Sequence, residues 1–281
     1  MSSPPPVRGG RRVDLHTHTQ FSDGLLSPEE VVALAIDRQL AALAITDHDS
    51  LEGLPRARAA AGSALELVPG IEMSSALEGV DLHILGYYVD PEHAELRERL
   101  VRFREERLDR ALAIVERLRL LGAALELADV IALAGPGVVG RPHVAEALIR
   151  AGHVDTMDDA FRRYLGMDGE AFVPRPAFQP EEAIALIHAA GGVSVIAHPG
   201  ASLAESLVER LVAAGLRGIE VWHPQHGAAT VRRYRALAQR LGLLETGGSD
   251  FHGPMRSTAL GDLPVPVSVL GPLKQAAGVT G

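Results

Sequence analysis

Six histidines and three carboxylates stand at the ends of short apolar runs, and imidazole with carboxylate is the ligand set of borderline and hard divalent metals. His16 and His18 close Val13-Asp14-Leu15-His16-Thr17-His18, and Asp23 follows in Ser22-Asp23-Gly24. In an extended chain residues two apart face the same side, so the two imidazoles converge on one point. His48 follows Ile45-Thr46-Asp47, Glu72 follows Gly70-Ile71, His83 sits in Asp81-Leu82-His83-Ile84, and His198 follows Val195-Ile196-Ala197. Asp250 and His252 complete the set in Gly248-Ser249-Asp250-Phe251-His252. One such histidine is an ordinary core residue. Nine candidate ligands in this pattern point to a polynuclear metal site, because a buried carboxylate needs a charge to pair it.

The elements that must position these groups alternate. Strand-length runs at Val13–His18, Ala42–Thr46, Leu65–Val68, Leu82–Val89, Val193–Ala197, Gly218–Trp222 and Leu243–Thr246 are separated by helical patterns, the signature of βα units and a parallel sheet. Ser27-Pro28-Glu29-Glu30 predicts a capping box opening a helix to about Gln39. Between about Pro91 and Pro176 the pattern becomes helix after helix, which reads as an inserted helical subdomain over 91–176 within an α/β barrel formed by 13–90 and 177–270. The ligands all fall at or just beyond strand carboxyl ends, the rim where chemistry collects in α/β barrels. Because the insertion leaves after the strand carrying His83, it is expected to emerge on that rim and cover it as a lid. The arginines from Arg97 to Arg119 alternate with glutamates at helical spacing, which predicts a solvated, ion-paired face.

Length and composition set bounds. A chain of 281 residues, 47% apolar, can bury a full core. With no cysteine, disulfides, thiolate metal sites and cysteine nucleophiles are excluded, which fits a cytoplasmic location. Residues 1–12 read as a disordered tail, and no apolar run reaches the roughly 20 residues of a membrane span. The formal charge of −9 argues against a grip on duplex DNA, but not against a small phosphorylated substrate, because bound cations invert the local field.

Taken in order, His-x-His-Thr with Ser-Asp-Gly, Thr-Asp-His-Asp, Gly-Ile-Glu, His-Ile-Leu-Gly, Ala-His-Pro and Gly-Ser-Asp-Phe-His resemble the polymerase and histidinol phosphatase (PHP) family of metal-dependent phosphoesterases, over about residues 13 to 262. Gly140-Arg141-Pro142-His143 and the segment from Tyr164-Leu165 to Phe172-Val173-Pro174 look like the branch of nucleoside bisphosphate and monophosphate phosphatases and a 5′-to-3′ exonuclease of short RNA. The resemblance implies a distorted (β/α)7 barrel holding three divalent metals, with Mn favoured and Fe or Zn as alternatives. It allots one metal to His16, His18, Glu72 and Asp250, a second to Glu72, His83 and His252, and a third to Asp23, His48 and His198. This branch tends to carry cations at positions where this chain has Ala201 and Asp168-Gly169-Glu170. That difference favours a substrate with one phosphate.

The implied chemistry is hydrolysis of a phosphate ester by a metal-bridged hydroxide, with Asp23 and His48 counted among the catalytic groups. Arg141 and His143, at a helix start, either grip substrate phosphate or dock the insertion. His223 and His226 reach the rim as a substrate contact and as proton donor to the leaving oxygen, or are loop residues. Asp47 and Asp49 orient imidazoles or cap loops. A small nucleotide is the leading substrate, short RNA the second, and a metal-binding module without turnover the third reading, which nine intact ligands disfavour.

Overall fold

The computed structural model describes residues 12–77, 80–176, 178–254 and 258–279. The tail expected at 1–12 lies outside the described residues apart from Arg12, which bridges Pro266.

Seven strands pair in chain order: β1 (Val13–Asp14), β2 (Ala42–Ile45), β3 (Glu66–Leu77), β4 (Val80–Tyr87), β5 (Val193–Ile196), β6 (Gly218–Trp222) and β7 (Leu244–Gly247). The ends of the sheet meet, because the Leu15 N–H donates to Gly247 O (3.1 Å) and Thr17 bridges Phe251. The result is a nearly closed barrel. Strand faces alternate as the pleat requires. Leu43, Ile45, Ile71, Met73, Ile84 and Ile219 pack outward against helices. Ala42, Ala44, Val68, Leu85 and Val195 fill the interior, which Val265, Val269 and Leu273 also join.

Helices α1 (Pro28–Asp37), α2 (Leu54–Ala61), α7 (Pro180–Ala189), α8 (Glu205–Ala213) and α9 (Ala228–Leu241) alternate with the strands, and α10 (Leu270–Ala276) follows β7. The capping box of α1 forms as the sequence predicts: Ser27 N–H donates to Glu30 (2.8 Å) and Ser27 Oγ accepts from Glu30 N–H (3.3 Å). Between β4 and β5 lie α3 (Ala94–Leu120), α4 (Leu127–Ala134), α5 (Arg141–Arg150) and α6 (Met157–Ala160), the last running into a π-helical turn at Phe161–Leu165. These helices share an apolar cluster of their own, including Ile114, Leu118, Val130, Val144, Leu148 and Leu165. No helix among the described residues is long and apolar enough to cross a membrane.

Three expectations need correction. The sheet is not all parallel, because β4 runs antiparallel to both β3 and β5. The third strand extends through Pro69-Gly70 to Leu77 instead of stopping at Val68, since that pair continues into the long β3–β4 ribbon rather than turning. The direction of β4 also reverses the exit of the insertion. Tyr87 pairs with Gly70 and Val193, at the end of the barrel away from His83, so the chain leaves on the far side. Helix α3 then carries it back, rising about 1.5 Å per residue, so Arg107 stands about 20 Å beyond Ala94. The insertion reaches the ligand rim by this climb: a Cβ on Gly137 would lie 2.6 Å from Gln20 O and 2.8 Å from Ser22 O.

Barrel closure depends on a second glycine. A Cβ at Gly248 would come within 2.3 Å of His16 N and 2.4 Å of His16 Cβ, with backbone on one side and a ligand stem on the other. Gly248→Ala should therefore cost about 3 kcal/mol of stability, the upper range for overpacking. A denaturant titration checks this, and an unchanged midpoint would refute the close approach.

Candidate metal centre

Glu72 is the hub of the nine candidate ligands. It is fully buried, points into the barrel from mid-β3, and both of its oxygens are shared. Oε2 lies 3.3 Å from His16 Nε2, 3.3 Å from His18 Nε2 and 3.0 Å from His48 Nδ1. Oε1 lies 2.8 Å from His83 Nδ1 and 2.9 Å from His198 Nε2. On one flank, Asp250 Oδ1 approaches His18 Nε2 (3.2 Å) and His16 Nε2 (3.5 Å). On the other, Asp23 Oδ1 approaches His252 Nε2 (3.1 Å) and His48 Nε2 (3.9 Å). All nine residues meet at one rim.

Within that rim the ligand atoms of three groups lie within 4.8 Å of one another: His16, His18 and Glu72; His48, Glu72 and His83; and His18, Asp23, His48 and His252. His252 thus falls with Asp23 and His48, while His198 Nε2 lies 2.9 Å from Glu72 Oε1 and 3.3 Å from His83 Nδ1, the reverse of the places implied by the resemblance. Strand neighbours supply the reason. His198 follows β5, which pairs with β4, and Ala197 N–H donates to His83 O (3.0 Å). His252 follows β7, which closes on β1, so its ring stacks on His18 with centroids 4.1 Å apart.

The residues present fit divalent metals. His16 Nε2, His18 Nε2, Asp23 Oδ1, His48 Nδ1, Glu72 Oε2 and His83 Nε2 are buried polar atoms without a hydrogen-bond partner among the described residues. Leaving so many polar atoms unpaired in one place is costly unless a cation takes them. The titration behaviour agrees. Burial disfavours charge on His16 and His18, yet the surrounding carboxylates hold both well above the ordinary histidine range, His18 at about 10. Burial, His48 and His198 push His83 down to about 4 against the pull of Glu72. Asp49, His198 and Asp250 have positive φ of 50°, 26° and 50°, a strain of about 1–3 kcal/mol each that clusters at functional sites.

A tenth residue, not singled out in the sequence, holds the cluster in place. Glu220 lies between outward-facing Ile219 and Val221 in β6 and is fully buried inside the barrel. Its Oε1 sits 3.0 Å from His16 Nδ1 and its Oε2 accepts from the His198 backbone N–H (2.6 Å). The sequence signal was a lone glutamate in an apolar strand. Glu220→Gln should weaken metal binding about 10–100-fold, as loss of an imidazole's orienting carboxylate usually does. Competition with a chelator measures it, and unchanged affinity would reduce Glu220 to a structural role.

The other predicted site residues take different places. Both ring nitrogens of His226 are committed, Nδ1 to Val221 O (3.0 Å) and Nε2 to the Gly200 N–H (3.1 Å), so it has no proton for a leaving oxygen. His223 is buried and accepts the Gln225 N–H at Nδ1, which leaves Nε2 facing Asp250 Oδ2 at 3.4 Å. There it is placed to steady Asp250. Asp47 and Asp49 bond no imidazole. Asp47 ties Thr19 and Ser22, while Asp49 accepts the Ser74 N–H and pairs with Arg107. Burial alone would raise Asp49, but Arg107 and then Arg175 hold it at about 2.

The face of α3 departs most from expectation. Arg97, Arg102 and Arg104 do form exposed ion pairs, with Glu92, Glu98 and Glu52. Arg107 and Arg110 turn inward, because Arg110 continues the buried seven-residue spacing of Leu96 and Phe103. Arg141 pairs with Asp81 (2.8 Å) and donates to Leu165 O (3.2 Å). His143 Nδ1 accepts from the Gly140 N–H (3.0 Å), so in the neutral ring the proton resides on Nε2. Burial lowers its pKa further. A cavity of about 920 Å³ lies between α2 and α3, lined by Asp49, Leu51, Leu54, Arg58, Leu100 and Arg104.

A family model described as PHP domain matches residues 14–167. The 5′-3′ exoribonuclease Rnm of Salmonella typhimurium is 38% identical over 88% of this chain and 87% of its own length. The 3′,5′-nucleoside bisphosphate phosphatase of Chromobacterium violaceum is 37% identical over 86% of this chain and 87% of its own. A solved structure from Bifidobacterium adolescentis superposes with a TM-score of 0.89 at 32% identity, covering 97% of this chain and 98% of the other.

Proposed function

Given that this chain belongs to the PHP domain family and is a metal-dependent phosphoesterase, we propose that it removes a phosphate from a small nucleotide, with three divalent ions, Mn foremost, at its rim. The observation that carries this is Glu72, a single buried carboxylate whose two oxygens serve five imidazoles. His16, His18, Glu72 and Asp250 would hold one ion; Glu72, His83 and His198 a second; and Asp23, His48 and His252 a third. When bound, such ions supply an acidified water as nucleophile and charge to offset the phosphoryl oxygens.

The chain's own residues do the rest. Glu220 and His223 fix the orientation of His16 and Asp250. Arg141, at the start of α5, offers its remaining donors to a phosphate, where the helix N-terminus also favours an anion. His143 replaces His226 as the group with a free ring N–H, and donates from Nε2 to a substrate oxygen.

Exonucleolytic cleavage of short RNA is the second reading, favoured by the cavity between α2 and α3, whose lining includes Asp49 next to His48, and by the relative named as a 5′-3′ exoribonuclease. On Mn-reconstituted protein, phosphate release from adenosine monophosphate is compared with mononucleotide release from a short 5′-phosphorylated RNA. Phosphate release supports the phosphatase. Turnover of the RNA alone overturns it in favour of the nuclease.

A further inference from the structure

Strand β2 ends at Ile45, yet its pairing with β3 runs on through two of the candidate ligands. His48 bridges Glu72, the Glu72 N–H donates to Asp47 O (3.2 Å), and the Asp49 N–H donates to Glu72 O (3.0 Å). There the backbone turns away, with Asp49 at a φ of 50°. The Ser74 N–H, two residues further along β3, donates to Asp49 Oδ1 at 2.8 Å, so the side chain continues the ladder that the backbone has left. Asp49 therefore grips β3 on both sides of Glu72. His48 and Glu72 each belong to two of the three ligand groups, so a slip between their segments would disturb all three.

The grip leaves a carboxylate with its side chain fully buried, which is unfavourable without a cation. The helical insertion supplies one from α3. Arg107 Nε donates to Asp49 Oδ2 (2.9 Å), and Nη2 donates to the same oxygen and to Ser74 Oγ (2.9 Å). Nη1 points to Val139 O (3.5 Å), in the loop before α5. Of the five N–H donors of a guanidinium, three serve Asp49 and Ser74 and a fourth faces Val139, which is the pattern of a tie and not of a group held ready for substrate. Among the described residues no hydrogen bond joins the Asp49 or Arg107 side chain to the side chain of a candidate ligand, so any influence on the metals passes through the backbone segments they fasten.

We propose that Arg107 is a positioning residue of the metal centre: through Asp49 it holds the segments carrying His48 and Glu72 in the register that shared ions need, so the insertion completes the centre from outside it. This rests on the metal-dependent reading above, and metal affinity reports on it apart from turnover. Charge and fork both contribute. Lysine restores the charge without the two parallel donors. Because the influence passes through Asp49, removing the charge of Asp49 should remove most of what Arg107 adds.

The test measures Mn affinity, from the electron paramagnetic resonance signal of the free ion, in wild type, Arg107→Met, Arg107→Lys, Asp49→Asn and the variant combining Arg107→Met with Asp49→Asn. Alongside it, kcat and KM for adenosine monophosphate are taken at saturating Mn. Arg107→Met should weaken Mn binding about 10–100-fold, the usual loss when a group that orients a ligand is removed. Lys should recover part of that loss. Asp49→Asn should also weaken binding, and adding Arg107→Met to it should change affinity by less than about threefold. At saturating Mn the KM should stay within about twofold of wild type, because Arg107 does not meet substrate. Wild-type affinity in Arg107→Met and Arg107→Lys overturns the proposal, even where those variants melt earlier. A raised KM with unchanged affinity also overturns it and makes Arg107 a substrate contact, and fully additive losses at Arg107 and Asp49 overturn the route through Asp49. Should Arg107→Met fail to fold, Arg107→Lys and Asp49→Asn carry the same comparison. A wild type that binds Mn but releases no phosphate ends the phosphatase reading while the affinities still decide this one, and a wild type that binds no Mn removes both.

Discussion

Glu72→Gln will lower kcat/KM for phosphate release by about 10³-fold or more, the largest single-residue effect at this site. The reason lies in charge rather than shape. Gln keeps the size and one oxygen of Glu72, but it loses the negative charge shared by five imidazoles. Burial would raise the Glu72 pKa, yet His48, His83 and His16 hold it well below the ordinary carboxylate range. An amide cannot compensate two adjacent cations, so metal content measured by elemental analysis should fall together with activity. The contrast with Glu220→Gln is diagnostic. Glu220 touches His16 and the His198 backbone but no position between ligands, so its loss should be repaired by raising metal concentration, whereas the loss at Glu72 should not. A Glu72→Gln protein with full metal content and activity within about tenfold of wild type would remove Glu72 from its central place.

The candidate ligands could be read from sequence because most of them follow an apolar run that ends at the barrel rim, while Glu72 and His83 lie within β3 and β4. Which ligands neighbour which could not. A strand's sequence does not record its direction, so the antiparallel course of β4, the far-side exit of α3 and the exchange of His198 and His252 all follow from pairing that appears only in the folded sheet. Glu220 was hidden for a related reason: one glutamate in Gly218-Ile219-Glu220-Val221-Trp222 looks like an outward residue until Ile219 and Val221 are seen to face the helices. His226 had the right location and the wrong availability, since the acceptors that occupy its ring are backbone groups of two other loops. Arg107 and Arg110 share a helix with glutamates, and the seven-residue spacing of Arg110 from Phe103 and of Phe103 from Leu96 marks an inward face only once α3 is docked. Local pattern thus located the chemistry, and long-range pairing decided the roles.

Removing the metals should abolish turnover and also change how stability depends on pH. In the metal-free protein His18 has a pKa of about 10 against an ordinary 6.5, because Asp250 and Glu72 outweigh the burial that disfavours its charge. A group whose pKa is raised by folding contributes stability in full below its unfolded value, and that contribution disappears as pH climbs through the folded value. The metal-free protein should therefore lose thermal stability between about pH 6.5 and pH 10. His16 and His198, also raised, act in the same direction. Metal ligation needs neutral imidazole, so each ion must displace these protons, and binding tightens as pH increases. The loaded protein should consequently gain on the metal-free form across the same interval, with the difference in Tm widening toward alkaline pH. Calorimetric titration of Mn into the chelator-treated protein at pH 7.5, in two buffers of different ionisation enthalpy, should register release of about two protons, from His16 and His18. Uptake without proton release, or a metal-free Tm that rises toward pH 10, would mean that the imidazoles are already neutral and that carboxylates do not hold them charged before metal arrives.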